Sequence, residues 1–83
     1  MSIELQIAHA HLEANVASIR FSDAMEEGLL FLNTAPGDPR AAAARIAFNE
    51  AGDRMNAAIE ACFDLMKAHP GETRAYLKSL EGT

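Results

Sequence analysis

The sequence predicts an all-α fold: an antiparallel two-helix hairpin with a tight Ala-rich seam, plus a short C-terminal helix, dimerised into a helical bundle. Composition supports the helices, since the 83 residues include 17 alanines but only nine Ile, Val and Thr residues together. Alanine favours helices, whereas β-branched residues favour strands. Two apolar stripes with a seven-residue repeat support the hairpin, because such stripes are typical of helices that pack side by side.

Turn and capping residues divide the chain into three segments. Ser2 can cap the first helix, and Asp38 followed by Pro39 suits the start of the second. Pro70 should end the second helix, because the residue before a proline avoids the helical conformation. Gly82 suits the end of a third helix. The predicted elements are a helix at about 2–33, a turn at 34–38, a helix at about 39–69 and a short helix at about 72–81.

Both long segments carry a heptad stripe of apolar residues. In the first segment the stripe consists of Ile3, Ile7, Ala10, Ala14, Ala17, Phe21, Ala24, Gly28 and Phe31. In the second it consists of Ala41, Ala44, Phe48, Ala51, Met55, Ala58, Cys62 and Leu65. Aligning the two stripes about the turn places bulky residues opposite small ones, which is how close-packed helices fill space. The sequence therefore predicts that the two stripes form the seam of the hairpin.

Further apolar residues lie outside the predicted seam. They are Leu5, Leu12, Val16 and Ile19 on the opposite side of the first helix, and Ile59, Phe63 and Met66 beside the second stripe. A ten-residue tail helix spans only about 15 Å, so it can cover only part of this surface. Contiguous exposed apolar surface on a small protein marks an interaction site. We therefore predict that these seven residues mediate self-association or bind a protein partner.

Composition and length restrict the possible functions. The chain is long enough for a single domain, 1–83, and its net charge is −5 with scattered basic residues, so direct nucleic-acid binding is not expected. A single cysteine excludes a disulfide framework and Cys-rich zinc sites. No apolar run is long enough to cross a membrane, and the N-terminus lacks the pattern of a signal peptide. We expect no membrane association and a reducing, cytoplasmic location.

The polar residues do not form a recognisable catalytic pattern. His9 and His11 point to nearly opposite sides of a helix, so they cannot share a metal ion within one chain. Cys62 lies within the second stripe, which predicts a buried structural thiol rather than a nucleophile. We therefore predict no catalytic residue, no cofactor and no metal.

The leading hypothesis is a non-enzymatic protein that acts through protein–protein contact, as an inhibitor or adaptor that forms a homodimer and also binds an unidentified protein. Small phage-encoded or accessory inhibitors share this size and acidity, which is an analogy only. One alternative to this hypothesis is a small dimeric all-α enzyme of the chorismate mutase type. In such an enzyme, Arg20, Arg54 and Lys67 would converge on a dicarboxylate. Acidic mimicry of a nucleic acid is a further alternative, and it predicts binding that weakens steeply with salt.

A limited resemblance adds one more alternative. The segment from Gly28 to Met66 contains two predicted helices joined by Pro36, Gly37, Asp38 and Pro39. In this turn and topology it resembles the hairpins of type III secretion needle subunits, whose chains are of about this length. The resemblance implies a needle-like subunit or its chaperone. The Ala-rich stripe and the separate tail depart from the needle pattern.

Overall fold

A computed structural model describes residues 2–31 and 37–82, which fold into three helices. They are α1 (Ile3–Leu29), α2 (Pro39–Ala68) and α3 (Pro70–Glu81). The described residues contain no strand, and α1 packs against α2. The all-helical prediction is therefore confirmed, as is the packing of the first helix against the second.

The first helix begins where the sequence predicts and ends earlier. The Ser2 hydroxyl accepts a hydrogen bond from the backbone N–H of Leu5 at 3.2 Å, which caps α1. The helix ends at Leu29 instead of about residue 33, and its last turn is tightened by a bond from the Leu30 N–H to the Glu27 carbonyl. The adjacent Gly28 has low helix propensity, which favours an end here. Residues 32–36, including most of the predicted turn, lie outside the described residues.

The start of α2 is held by Asp38. Gly37 has a φ of +88°, a conformation that glycine adopts without strain. The Asp38 carboxylate then accepts a hydrogen bond from the Arg40 backbone N–H at 2.9 Å, and it pairs with the Arg40 guanidinium at 3.0 Å. The side-chain bond from Arg40 has the larger effect on the pKa of Asp38, and the backbone bond adds to it. Together they lower this pKa below its ordinary value. Asp38 is therefore the N-cap of α2, as the sequence predicts.

The junction between α2 and α3 is shorter than predicted. Helix α2 ends at Ala68 and α3 begins at Pro70, two residues earlier than expected, so His69 alone separates them. Proline is well tolerated at the first helical position, because the N–H that it lacks has no partner there. The Thr73 hydroxyl donates to the carbonyl oxygens of His69 at 2.7 Å and Met66 at 3.1 Å. This contact fastens the first turn of α3 to the end of α2.

The two long helices run antiparallel. The Phe21 ring lies 4.9 Å from the Phe48 ring, and the Arg40 guanidinium carbon lies 5.7 Å from the centre of the Phe31 ring. Residues late in α1 and just after its end therefore meet residues early in α2. The described residues that are buried all belong to the two predicted stripes: Ile7, Ala14, Ala44 and Cys62. Only Ile7 among them is large, so the hydrophobic core is thin.

The thin core reflects an elongated molecule. Its dimensions are 53 × 25 × 18 Å and its radius of gyration is 17.2 Å, whereas a compact domain of this length has a radius of about 12 Å. The accessible surface is 6126 Å², against roughly 4800 Å² expected for a compact monomer of this mass. The single chain thus leaves roughly 1300 Å² more surface in solvent than a compact chain would.

Candidate functional site

Much of the surface is apolar. The large apolar side chains that are exposed lie on all three helices or at their ends: Leu5, Leu12, Val16, Ile19, Met25, Leu29, Leu30, Ile46, Phe63, Leu77 and Leu80. Four of them, Leu5, Leu12, Val16 and Ile19, form the predicted stripe on α1, and we call them the α1 stripe. Leu12 is 60% exposed and Ile19 is 61% exposed. Helix α3 therefore does not cover this stripe.

An open groove runs between α1 and α2 on one side of the hairpin, and we call it the first groove. Its volume is about 610 Å³. The apolar residues that line it are Leu12, Val16, Ala17, Ala24, Ala47, Ala51 and Ala58. Small alanine side chains fill little of the space between the two helices, which is why this groove remains open.

Charged side chains flank the apolar part of the first groove. They are Glu13 and Arg20 on α1, and Glu50 and Arg54 on α2. All four are exposed. Glu13 lies 3.5 Å from the exposed His9 ring one turn earlier, and the other three form no ion pair with the described residues. The first groove therefore has two acidic and two basic side chains around its apolar lining.

A second groove of about 390 Å³ lies elsewhere on the hairpin. It is lined by His11, Ala14, Asn15, Ser18, Ile59, Cys62, Phe63, Met66 and Leu77. Helix α3 contributes Leu77 to it, and Tyr76 packs edge-on against His11 with ring centres 5.7 Å apart. None of the described residues that line this second groove is an acid, a lysine or an arginine.

The structure does not bring the seven predicted interaction residues together in one place. Leu12 and Val16 line the first groove, whereas Ile59, Phe63 and Met66 line the second. Leu5 and Ile19 line neither of these grooves, and they extend the exposed stripe along α1. The sequence pattern thus identified residues from two different surfaces.

Sequence reasoning missed the charged residues of the first groove as a group. Glu13 and Arg20 are seven residues apart, the same spacing as the stripe residues beside them, and that spacing is the signal that could have identified them. Arg20 and Arg54 share the first groove, as the enzyme alternative requires, but Lys67 is not part of it. Glu13 and Glu50 lie in the same groove, so its charge is balanced rather than cationic.

The remaining reactive side chains are dispersed. Among residues 2–31 and 37–82, no three His, Cys, Asp or Glu side chains are grouped as metal ligands would be. Burial raises the pKa of the Cys62 thiol, because the charged thiolate is poorly solvated there. A raised pKa lowers the fraction of reactive thiolate at neutral pH.

None of the described helices combines the length and the apolar character needed to cross a bilayer. Within residues 2–31 and 37–82, the fold is an antiparallel hairpin of α1 and α2 that carries the short helix α3. Compared with protein-family models, curated proteins and solved structures, the chain matches none of them. Its function must therefore be inferred from its own geometry and chemistry.

Proposed function

We propose that this chain is a non-enzymatic protein that acts through protein–protein contact and self-associates through the α1 stripe into a homodimeric helical bundle. The observation that carries the proposal is the accessible surface of 6126 Å², which exceeds that of a compact monomer of this mass by about a quarter. Interfaces of stable complexes bury about 800 Å² on each partner, and obligate dimers bury more. The excess surface is thus of the size that one dimer interface would remove.

The distribution of apolar residues supports the same proposal. Burying a large aliphatic side chain that would otherwise be exposed contributes about 1.5–3 kcal/mol. The chain has only four buried apolar side chains among its described residues, but eleven large apolar side chains in solvent. A second protein surface against the α1 stripe would supply the burial that the monomer lacks. In this proposal the Ala-rich seam is the contact between α1 and α2 at the buried Ala14 and Ala44, and it presents the stripe on a rigid support.

Chemistry favours contact over catalysis. The first groove is open and contains equal numbers of acids and arginines. A site for a dicarboxylate needs several cationic groups without competing carboxylates, which this groove does not offer. We also propose that the chain, as an inhibitor or adaptor, binds a second protein besides its own copy.

The free thiol of Cys62 suits a reducing compartment such as the cytoplasm.

The proposal is tested by charging the α1 stripe. In Leu12→Glu with Ile19→Glu, two charges would enter any interface built on the stripe, and burial of unpaired charge is prohibitively unfavourable. Sedimentation velocity should show a dimer for the parent and a monomer for the variant, and circular dichroism should show retained helix. A parent that is monomeric at every concentration would contradict the proposal.

The matched control is Ile46→Glu. Ile46 is 57% exposed, similar to Leu12, but it lies on α2 and lines neither of the two grooves. We expect this variant to remain dimeric.

The same sedimentation experiment addresses the needle-like alternative, because a closed dimer stops at two copies whereas a head-to-tail contact produces filaments.

A further inference from the structure

We propose that the second copy docks in the first groove, with its α1 antiparallel to the first α1 about a two-fold axis between Val16 and Ala17. This inference deepens the proposed function and rests on it. Two copies of one surface form a closed dimer only when the surface is self-complementary, so that residue i faces residue j and j faces i. The first groove meets this condition, whereas the second does not.

The charges of α1 show the self-complementarity. Glu13 and Arg20 lie at equal distances along the chain from the Val16–Ala17 midpoint. An antiparallel copy centred there brings Glu13 of each chain opposite Arg20 of the other. The two reciprocal ion pairs flank Val16 and Ala17, which provide a small apolar centre. Opposite charges at the rim of an interface set register and exclude wrong arrangements.

Availability of the charged groups supports this arrangement. Arg20 forms no ion pair with the described residues, and Glu13 has only the exposed 3.5 Å contact with His9. A contact of that length between exposed groups is weak, so an arginine from a second copy can replace it. On α2, Glu50 and Arg54 line the same groove and likewise form no ion pair within the described part of the chain. They offer a second pair of opposite charges to the docked copy.

The second groove is a poorer site for a second copy. Its described lining residues include no acid, lysine or arginine, and α3 contributes only Leu77 to them. Its volume is also smaller, about 390 Å³ against about 610 Å³. Among the described residues, the second groove offers no pair of opposite charges to fix the register of a symmetric contact.

The test uses charge reversal in the full chain. Glu13→Arg alone places two arginines opposite each other at both ends of the dimer, and Arg20→Glu alone places two carboxylates there. Each single variant should dimerise about tenfold more weakly than the parent, as measured by sedimentation. An equimolar mixture of the two should form a heterodimer, because both of its cross-pairs are then favourable. The double variant Glu13→Arg with Arg20→Glu should dimerise like the parent.

The matched control is the pair Glu60→Arg and Lys67→Glu. Glu60 and Lys67 are also exposed and seven residues apart, but they lie on α2 and line neither groove. Neither single reversal should change dimerisation, and their mixture should show no preference for a heterodimer. Circular dichroism on every variant checks that the helices persist.

The outcomes separate this inference from the proposed function. A parent that dimerises while the Glu13 and Arg20 reversals change nothing would overturn the docking geometry but leave self-association intact. The same conclusion follows if Phe63→Glu, in the second groove, dissociates the dimer and the reversals do not. A parent that stays monomeric would overturn both.

Discussion

The Tyr76 hydroxyl lies 2.7 Å from Nδ1 of His11, a hydrogen bond that joins α3 to α1 across 65 positions of sequence. Both side chains are partly buried, and their rings also pack in a T-shaped arrangement. When Nδ1 of His11 is unprotonated, the Tyr76 hydroxyl donates the bond. This contact holds the middle of α3 against α1, while Thr73 holds its beginning against α2.

Tyr76→Phe should therefore loosen α3 without unfolding the hairpin. The substitution keeps the ring and removes the hydroxyl, which typically costs about 1 kcal/mol for such a bond. Hydrogen exchange should become faster in α3 and remain unchanged in the middle of α2. A double-mutant cycle with His11→Ala provides the control, because it isolates the pairwise coupling. Fully additive effects would show that the two side chains do not interact.

Asp38→Ala should lower the melting temperature by a few degrees. The substitution leaves the Arg40 backbone N–H without its acceptor and removes the partner of the Arg40 guanidinium. Asp38→Ser restores a capping oxygen and should recover most of the loss. Identical melting of the parent and both variants would mean that this cap does not stabilise α2.

The lowered pKa of Asp38 predicts a dependence of stability on pH. Because its folded-state pKa lies below the unfolded value near 3.8, the unfolded chain binds the proton more readily. The contribution of the Asp38 carboxylate to folding stability is fully present above the unfolded pKa. This contribution is lost as the pH falls through the lowered pKa of the folded state. The effect is small, since Arg40 is largely in solvent and screened. The melting temperature of Asp38→Asn, measured as a function of pH, should fall less steeply below pH 4 than that of the parent.

Ala44→Leu tests the proposed seam. Ala44 is only 5% exposed, so a larger side chain there presses on the neighbours that bury it. Overpacking of this kind typically costs about 1–3 kcal/mol, which is a large part of the stability of a domain with so thin a core. The adjacent Ala43 is exposed, and Ala43→Leu should be nearly neutral. Equal thermal shifts for the two variants would contradict close packing at Ala44.

The sequence by itself determined the local structure of this protein. Ser2 and Asp38 cap their helices as predicted, because a cap depends only on a side-chain oxygen and on backbone N–H groups two or three residues away. The identity of the helices follows from propensity and from apolar spacing, which are also local properties. The earlier start of α3 at Pro70 belongs to the same class, and the rule for proline at the first helical position could have predicted it.

Only the tertiary structure decided which surfaces the apolar residues form. Val16 and Phe63 are both exposed apolar residues outside the predicted seam, but the rotation of α1 against α2 places them in different grooves. That rotation depends on the packing of side chains far apart in sequence, such as Phe21 and Phe48. The bond between His11 and Tyr76 likewise depends on where α3 leaves α2, a direction that no local sequence pattern specifies.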